Sequence, residues 1–319
     1  MTAQPTDARK TGLKIACIGE AMIELSFGEA GFSHPKIGFA GDVLNTAIYL
    51  KRGAGQQVDV SFVSALGNDR FSNEMLKFIR RESIRTDAIL SDPARLPGLY
   101  AITNEPNGER GFQYWRDQSA ARHMFNGPDG LDFSRLAGFD ILYFSAITLA
   151  ILPVETRAAL LDWVEVARQN SGCRMVFDSN FRPRLWESVE TARYWVEKAW
   201  KVTDIALPSL EDEEALFADR SCEATLARLQ EYGLSLGAIK NGAAGPVPLS
   251  PLSNLPDFMP ADTVVDTTAA GDSFNGAYLA AILTGADQPE ALRRGHLCAA
   301  HVVGFRGAVN SLPSEVDPT

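Results

Sequence analysis

Near the end of the chain runs Asp266-Thr267-Thr268-Ala269-Ala270-Gly271-Asp272-Ser273-Phe274-Asn275-Gly276-Ala277. It reads as a short strand, a tight turn of small residues and the first turn of a helix, with Asp272 where the helix begins. Backbone N–H groups at such a turn have no partner in their own helix. With the helix dipole behind them they hold an anion. Ala269, Ala270 and Gly271 are small enough to let a phosphate approach the backbone closely. Asp272 stands beside that anion and can take a proton from an attacking hydroxyl. An anion hole next to a carboxylate base suits phosphoryl transfer to an alcohol. The helix that follows is expected to be amphipathic, packing through Phe274, Tyr278, Ala281 and Ile282, with Gly285 ending it.

Working outward, apolar strand patterns alternate with helical ones. Leu13 to Ile18, Val58 to Ala65, Asp140 to Phe144, Arg174 to Phe177, Ile205 to Leu207 and Gly237 to Ile239 read as strands. Gly41 to Arg52, Phe71 to Glu82, Val154 to Gln169, Ser188 to Val202, Glu211 to Phe217 and Cys222 to Tyr232 read as helices. In the second of these, Phe71, Met75, Phe78 and Ile79 share a face. This order predicts an α/β fold, with a mostly parallel central sheet flanked by helices. Ile23 to Phe39 and Gly98 to Arg116 break the rhythm. They read as short antiparallel strands, the second stretch containing the turn signal Asn107-Gly108, and would form a small antiparallel β lid. Residues 1–12 read as a disordered tail and residues 13–319 as one domain carrying the lid.

Composition narrows the function. Of 319 residues, 45% are hydrophobic and 22% charged, and the net charge is −10. That balance argues against a nucleic-acid surface, which needs clustered Lys and Arg. There is no apolar run long enough for a membrane span and no signal-peptide core, so a cytoplasmic protein is expected. Cys17, Cys173, Cys222 and Cys298 are widely spaced, without a metal or disulfide pattern, which fits a reducing compartment. The histidines at 34, 123, 296 and 301 form no visible pair. Neither a phosphate loop of the G-x-x-x-x-G-K-[ST] type nor a G-x-S-x-G elbow is present.

The segment from Asp266 to Ala277 closely resembles the signature of the ribokinase-like (PfkB) carbohydrate kinases. A ribokinase-like fold, ATP as phosphate donor and Mg²⁺ are what that resemblance implies. It also implies that Asp272 is the base and that Ala269, Ala270 and Gly271 belong to the catalytic anion hole. The run Gly38-Phe39-Ala40-Gly41-Asp42-Val43-Leu44-Asn45 resembles the family's first signature, and by that likeness Gly41, Asp42 and Asn45 line the sugar pocket. The form Ala-Gly-Asp-x-x-Asn resembles the 2-keto-3-deoxygluconate kinase branch. So does Glu109 to Arg116 followed by Ser119-Ala120-Ala121-Arg122. In that branch the tyrosines and arginine hold an acid sugar, which gives Tyr100, Tyr114 and Arg116 the same role here. A guanidinium suits a carboxylate because it makes paired, charge-assisted bonds to it.

Asp178-Ser179-Asn180-Phe181-Arg182-Pro183-Arg184 ends a strand, at the edge where open α/β sheets place ligands. Asn180 and Arg182 match family positions that contact substrate and nucleotide phosphates, whereas Arg184 reads as structural. Lys240-Asn241-Gly242-Ala243-Ala244-Gly245 is a glycine turn after a strand. In the family this loop covers the nucleotide, which assigns Lys240, Gly242, Gly245 and, across the site, Gly271 to nucleotide binding.

Two stretches depart from the family pattern. Ser209 stands where Asn is usual, leaving Asp212 as the acid of that motif and the Mg²⁺ ligands unassigned. Pro246 and Pro248 follow the nucleotide loop. The resemblance spans Gly19-Glu20-Ala21-Met22-Ile23-Glu24-Leu25 to Arg306-Gly307-Ala308 and implies an ATP-dependent kinase for a small acid sugar. Kinases of 5-dehydro-2-deoxygluconate, fructose or ribose, and a non-catalytic sugar-acid sensor on the same fold, remain as alternatives. Lid strands with exposed edges predict a homo-oligomer.

Overall fold

A computed structural model describes residues 12–27, 34–104 and 110–317. The expected tail, apart from Gly12, and the Asn107-Gly108 turn lie outside the described residues. The chain begins β1 (Leu13–Ile18), β2 (Met22–Ser26), β3 (Lys36–Ala40), α1 (Asp42–Ala54), β4 (Val58–Leu66), α2 (Arg70–Arg81) and β5 (Ile89–Ser91). Next come β6 (Gly98–Asn104), β7 (Arg110–Trp115), the short β8 (Asn126–Gly127) and β9 (Gly130–Leu131), β10 (Ile141–Ser145), α3 (Ala146–Ile151), α4 (Val154–Ser171) and β11 (Arg174–Asp178). It closes with α5 (Val189–Lys201), β12 (Ile205–Ala206), α6 (Leu210–Phe217), α7 (Cys222–Glu231), β13 (Ala238–Ile239), β14 (Val247–Pro248), α8 (Ala270–Leu283) and α9 (Gln288–Val302).

The central sheet has six strands in the order β12-β11-β10-β1-β4-β5, and each pairing is parallel. Its strands are apolar on both faces because helices cover both. Successive side chains alternate between two cores. Ile15, Cys17, Ile141 and Tyr143 enter one, with α1, α8 and α9. Ala16, Ile18, Leu142 and Phe144 enter the other, with α4 and α5.

A second sheet, in the order β3-β2-β6-β7, stands on the carboxyl-edge side of the first. Its outer pairings are antiparallel, as predicted, while β2 and β6 pair in parallel, Met22 opposite Gly98. Both of these strands leave the core at the same edge and run outward together, so no hairpin links them.

Other local expectations are corrected. No strand precedes Asp272: the amides of Val265 and Asp266 both donate to Val303 O, at 2.7 and 3.1 Å, at the end of α9. Helix α8 is not amphipathic, because it lies between α1 and α9 and is buried from Ser273 through Ala281. Residues 237–240 add no strand to the central sheet: their backbone meets it at isolated bridges, Ala206–Gly237 and Ser209–Lys240, and β13 pairs instead with β14. Phe71 is exposed. Asp69 caps α2 by accepting from Phe71 N and Ser72 N, which turns Ser72, Met75 and Ile79 inward.

One contact fixes the site. A Cβ on Gly276 of α8 would lie 2.5 Å from Tyr49 Cβ and 2.7 Å from Thr46 O of α1. Only glycine lets the two helices cross this closely, which brings both of their N-termini to one place at the sheet's carboxyl edge. Gly276→Ala is expected to lower stability by roughly 1–3 kcal/mol, the usual range for overpacking, and to lower kcat with it. Urea unfolding and a steady-state assay check this; wild-type values for both would show that the close crossing is not needed.

Candidate active site

The turn before α8 puts Ala269 in the left-handed region at φ 61°, a conformation that L-residues other than Asn, Asp and Gly rarely adopt. Asp266 holds that turn from outside, accepting from Thr268 N at 3.0 Å and Gly307 N at 2.7 Å. Ala270 N–H donates to Thr267 O at 3.2 Å. Gly271 and Asp272 follow it in the first turn, where amides have no acceptor in their own helix. This is the turn that the sequence reading assigns to an anion, with the amide of Ala270 engaged in the turn itself.

Asp272 Oδ2 accepts from Asn45 Nδ2 at 2.8 Å, and Thr46 Oγ1 donates to Asp272 O at 3.2 Å. Two residues from the first turns of α1 therefore hold the side chain and the backbone of the expected base. Burial pushes the Asp272 carboxyl up to about 8. The charge of Asp42 pushes the same way, Asn45 opposes, Asp178 adds to the rise and Lys240 opposes. A carboxylate with raised proton affinity is a better acceptor for an alcohol proton than an exposed one.

The other acids are better compensated. Asp178 Oδ2 accepts from Lys240 Nζ at 2.8 Å and Asn275 Nδ2 at 2.6 Å. Asn275 also reaches the Tyr143 hydroxyl at 3.2 Å, which meets Thr46 Oγ1 at 3.1 Å. Asp42 Oδ2 accepts from the Ser145 hydroxyl and from Asn180 Nδ2 at 3.0 Å. Burial raises the Asp42 carboxyl, and Ser145 and then Arg116 oppose that rise. The network joins the first turn of α1, the ends of β10 and β11, Lys240 after β13 and the first turns of α8.

On the lid side, Tyr100 donates its hydroxyl to Glu24 and stacks on Tyr114, ring centroids 5.8 Å apart. Tyr114 is half-exposed and Tyr100 is buried. Arg116 is buried and ion-paired with the buried Glu20. Arg182 donates to Phe181 O at 2.8 Å and lies 3.3 Å from Asp212, whose carboxyl burial raises to about 6. The two arginines are thus held by different acids, and among the described residues no contact between them is found. Gly41 packs against Glu20, whose backbone oxygen would lie 2.2 Å from an added Cβ.

On the other side of Asp272 a cavity of about 770 Å³ opens. Lys240, Gly242, Ala270 and Gly271 line its polar end; Pro246, Pro260, Val264, Ala299 and Val303 line the rest. Its size and apolar lining suit a nucleotide. Gly245 does not line it; it backs onto Phe258 at φ 86°. Asn180, predicted for the nucleotide, turns its amide to Asp42 on the sugar side.

Asp178, Tyr143, Asn275, Glu24 and Glu20 complete the site and were not singled out from the sequence. Asn275 was within reach of sequence reasoning, being three residues from Asp272 and so on the same helix face. The pairing of Lys240 with Asp178 spans 62 residues and leaves no local signal. Among the described residues no helix is long and apolar enough to cross a membrane, and no group of three His, Cys, Asp or Glu is placed to hold a metal.

A parallel α/β sheet with a lid, and a helix N-terminus carrying a carboxylate beside a nucleotide-sized cavity, are the features of a sugar kinase. The chain matches the model of the pfkB family carbohydrate kinases over residues 13–315, and it belongs to that family. It is 42% identical to a 2-dehydro-3-deoxygluconokinase of Dickeya dadantii (strain 3937), over 97% of this chain and 99% of the relative. It is 41% identical to a 2-dehydro-3-deoxygluconokinase of Escherichia coli (strain K12), over 96% and 99%. A crystal structure of a PfkB protein from Polaromonas sp. JS666 superposes with a TM-score of 0.79 at 25% identity, covering 97% of this chain and 100% of that one.

The Asp272 carboxyl titrates at about 8 in the fold against an ordinary 3.8. As pH rises the unfolded chain releases this proton first. The group's contribution to stability is therefore whole below the ordinary value, declines above it and is gone past the folded value. Asp272→Asn removes that titration. The melting temperature of the variant, relative to wild type, is expected to climb between about pH 4 and pH 8 and then level off. A difference that stays flat with pH would mean the carboxyl is not shifted.

Proposed function

We propose that this kinase transfers the γ-phosphoryl group of ATP to the terminal hydroxyl of 2-dehydro-3-deoxy-D-gluconate, giving the 6-phosphate. The observation that carries the reading is the position of Asp272, half-buried at the head of α8 between the lid-side tyrosines and the cavity beside Gly271. The names of the two bacterial relatives support the choice of sugar.

In this reading the nucleotide lies in the cavity with its phosphates toward Lys240 and the first turn of α8. The sugar lies under Tyr100 and Tyr114 with its terminal hydroxyl at Asp272. In a loose transition state the hydroxyl proton leaves late, so Asp272 first orients the hydroxyl and then accepts its proton. Amides at the start of α8 stabilise the charge on the transferring group. Arg116 and Arg182 approach the substrate carboxylate from two sides, and Gly41, Asp42 and Asn45 shape the pocket floor. Closure of the lid excludes water and so limits futile hydrolysis of ATP.

Mg²⁺ fits the site as a companion of the nucleotide. It would be held mainly by phosphate oxygens and water, with Asp178 and Asp212 the acids that flank Lys240, and it would neutralise phosphate charge. We further propose that core and lid act as one kinase unit in the cytoplasm. A second copy would cover the apolar outer face of the lid, where Leu25, Leu99, Ala101 and Trp115 line a groove of about 380 Å³.

ADP release with 2-dehydro-3-deoxygluconate, fructose, ribose and 5-dehydro-2-deoxygluconate tests the reading. Strong preference for the first is expected, with nearly complete loss of turnover in Asp272→Asn while ATP still binds. Turnover within a few-fold of wild type would remove Asp272 from the role. Arg116→Ala and Arg182→Ala should each weaken acid-sugar binding by roughly 1.5–3 kcal/mol, the scale of a charged hydrogen bond. Unchanged KM and kcat in both would sink the carboxylate assignment.

A further inference from the structure

Four chain crossings join the lid to the core: after β1, after β3, before β6 and after β7. Glu20 stands at their meeting point. Its backbone oxygen packs against Gly41, its Oε1 would lie 2.5 Å from a Cβ at Gly98, and its carboxylate pairs with Arg116. Its side chain is 1% exposed and that of Arg116 6%. The ion pair is close but poorly aligned: neither carboxylate oxygen of Glu20, nor Nε or Nη2 of Arg116, makes a hydrogen bond within the protein. A buried charge pair with donors left over is unusual, because buried polar groups are nearly always satisfied. The arrangement neutralises Arg116 without using up its hydrogen-bonding capacity.

We infer that Glu20 is the positioning residue for Arg116, holding the guanidinium at the lid's root so that its free N–H groups meet the acid group of the sugar. The inference rests on the acid-sugar reading above. Glu20 itself touches no reacting atom. Its carboxylate fixes where the guanidinium sits and lets a positive group wait in a dry pocket between turnovers. When the substrate carboxylate arrives, Arg116 has two acids to share its N–H groups between, and the pairing costs the protein no rearrangement of the lid root.

The test is steady-state kinetics on wild type, Glu20→Gln, Glu20→Asp, Arg116→Ala and the double variant Glu20→Gln/Arg116→Ala, with 2-dehydro-3-deoxygluconate and ATP each varied. Expected is a rise in sugar KM of about tenfold or more in Glu20→Gln, the scale of one charged hydrogen bond, with partial recovery in Glu20→Asp and ATP KM unchanged. In the Arg116→Ala background, Glu20→Gln should add almost nothing, since two residues acting through one contact are not additive. If Glu20→Gln does not fold, Glu20→Asp carries the test through a raised sugar KM at constant ATP KM. A raised sugar KM in Arg116→Ala with wild-type KM in both Glu20 variants would overturn the positioning role and leave the acid-sugar reading standing. So would a fall in kcat with equal rises in both KM values, which is what a merely structural role at the lid root produces. Wild type and Arg116→Ala sharing one sugar KM would overturn this inference, and the same result in Arg182→Ala with unchanged kcat in both would overturn the acid-sugar reading with it.

Discussion

The close crossing of α1 and α8 at Gly276 is the constraint on which the site depends. It places Asn45 and Thr46, in the first turns of α1, against Asp272, in the first turn of α8. Two helix N-termini then face one region at the carboxyl edge of a parallel sheet, where β1, β10 and β11 also deliver Glu20, Ser145 and Asp178. The positive ends of the two dipoles offset part of the repulsion among the acids gathered there. A wider crossing would separate Asn45 from the base and let water in beside it.

Three carboxylates, Asp178 buried and Asp42 and Asp272 half-buried, share few donors, and the sharing is uneven. Asp178 takes the only lysine contacting these acids among the described residues, together with Asn275. Asp42 takes Ser145 and Asn180 and feels Arg116. Asp272 keeps one carboxamide and sits in the field of the other two. The acid with fewest side-chain donors is the one at the head of α8, and burial raises its proton affinity. Division of roles among chemically identical groups follows from their surroundings alone. Lys240 serves twice in this scheme, fixing Asp178 while lining the cavity where phosphates would lie.

Much of this was legible in the sequence, and what was not has a common cause. The strand–helix alternation, α1 and α8 with their small-residue entries, and Asp272 itself are local patterns that survive in one dimension. The parallel pairing of β2 with β6 is not local, since nothing in either strand records which neighbour it meets. The buried course of α8 is hidden in the sequence because Asp272, Ser273 and Asn275 are polar, although Asp272 and Asn275 bond to Asn45 and Asp178 and Ser273 bonds back to Ala270 O. Arg182 and Arg116 were visible as charges, but their partners, Asp212 and Glu20, lie 30 and 96 positions away in the chain. Polar residues committed to a site mimic the polar face of a surface helix, and only the packed structure separates the two.

The division between lid and core has a consequence for specificity. Asp272, its turn and the cavity beside Gly271 are built on the core, from helix N-termini and strand ends that pack on both sides of one sheet. The tyrosines and Glu24 belong to the lid, and Arg116 to its root. The four lid strands join the core at the crossings around Glu20 and also pack on it further out, Met22, Tyr100 and Ile102 clustering with Ala308 and Ala269, and Phe39 meeting Phe78 of α2. The chemistry can stay constant while recognition varies, provided the root keeps its geometry. Gly41 and Gly98 reflect that requirement: an added Cβ at either would strike Glu20, through its backbone oxygen at 2.2 Å and its carboxylate at 2.5 Å. The lid is thus held to one shape at its root.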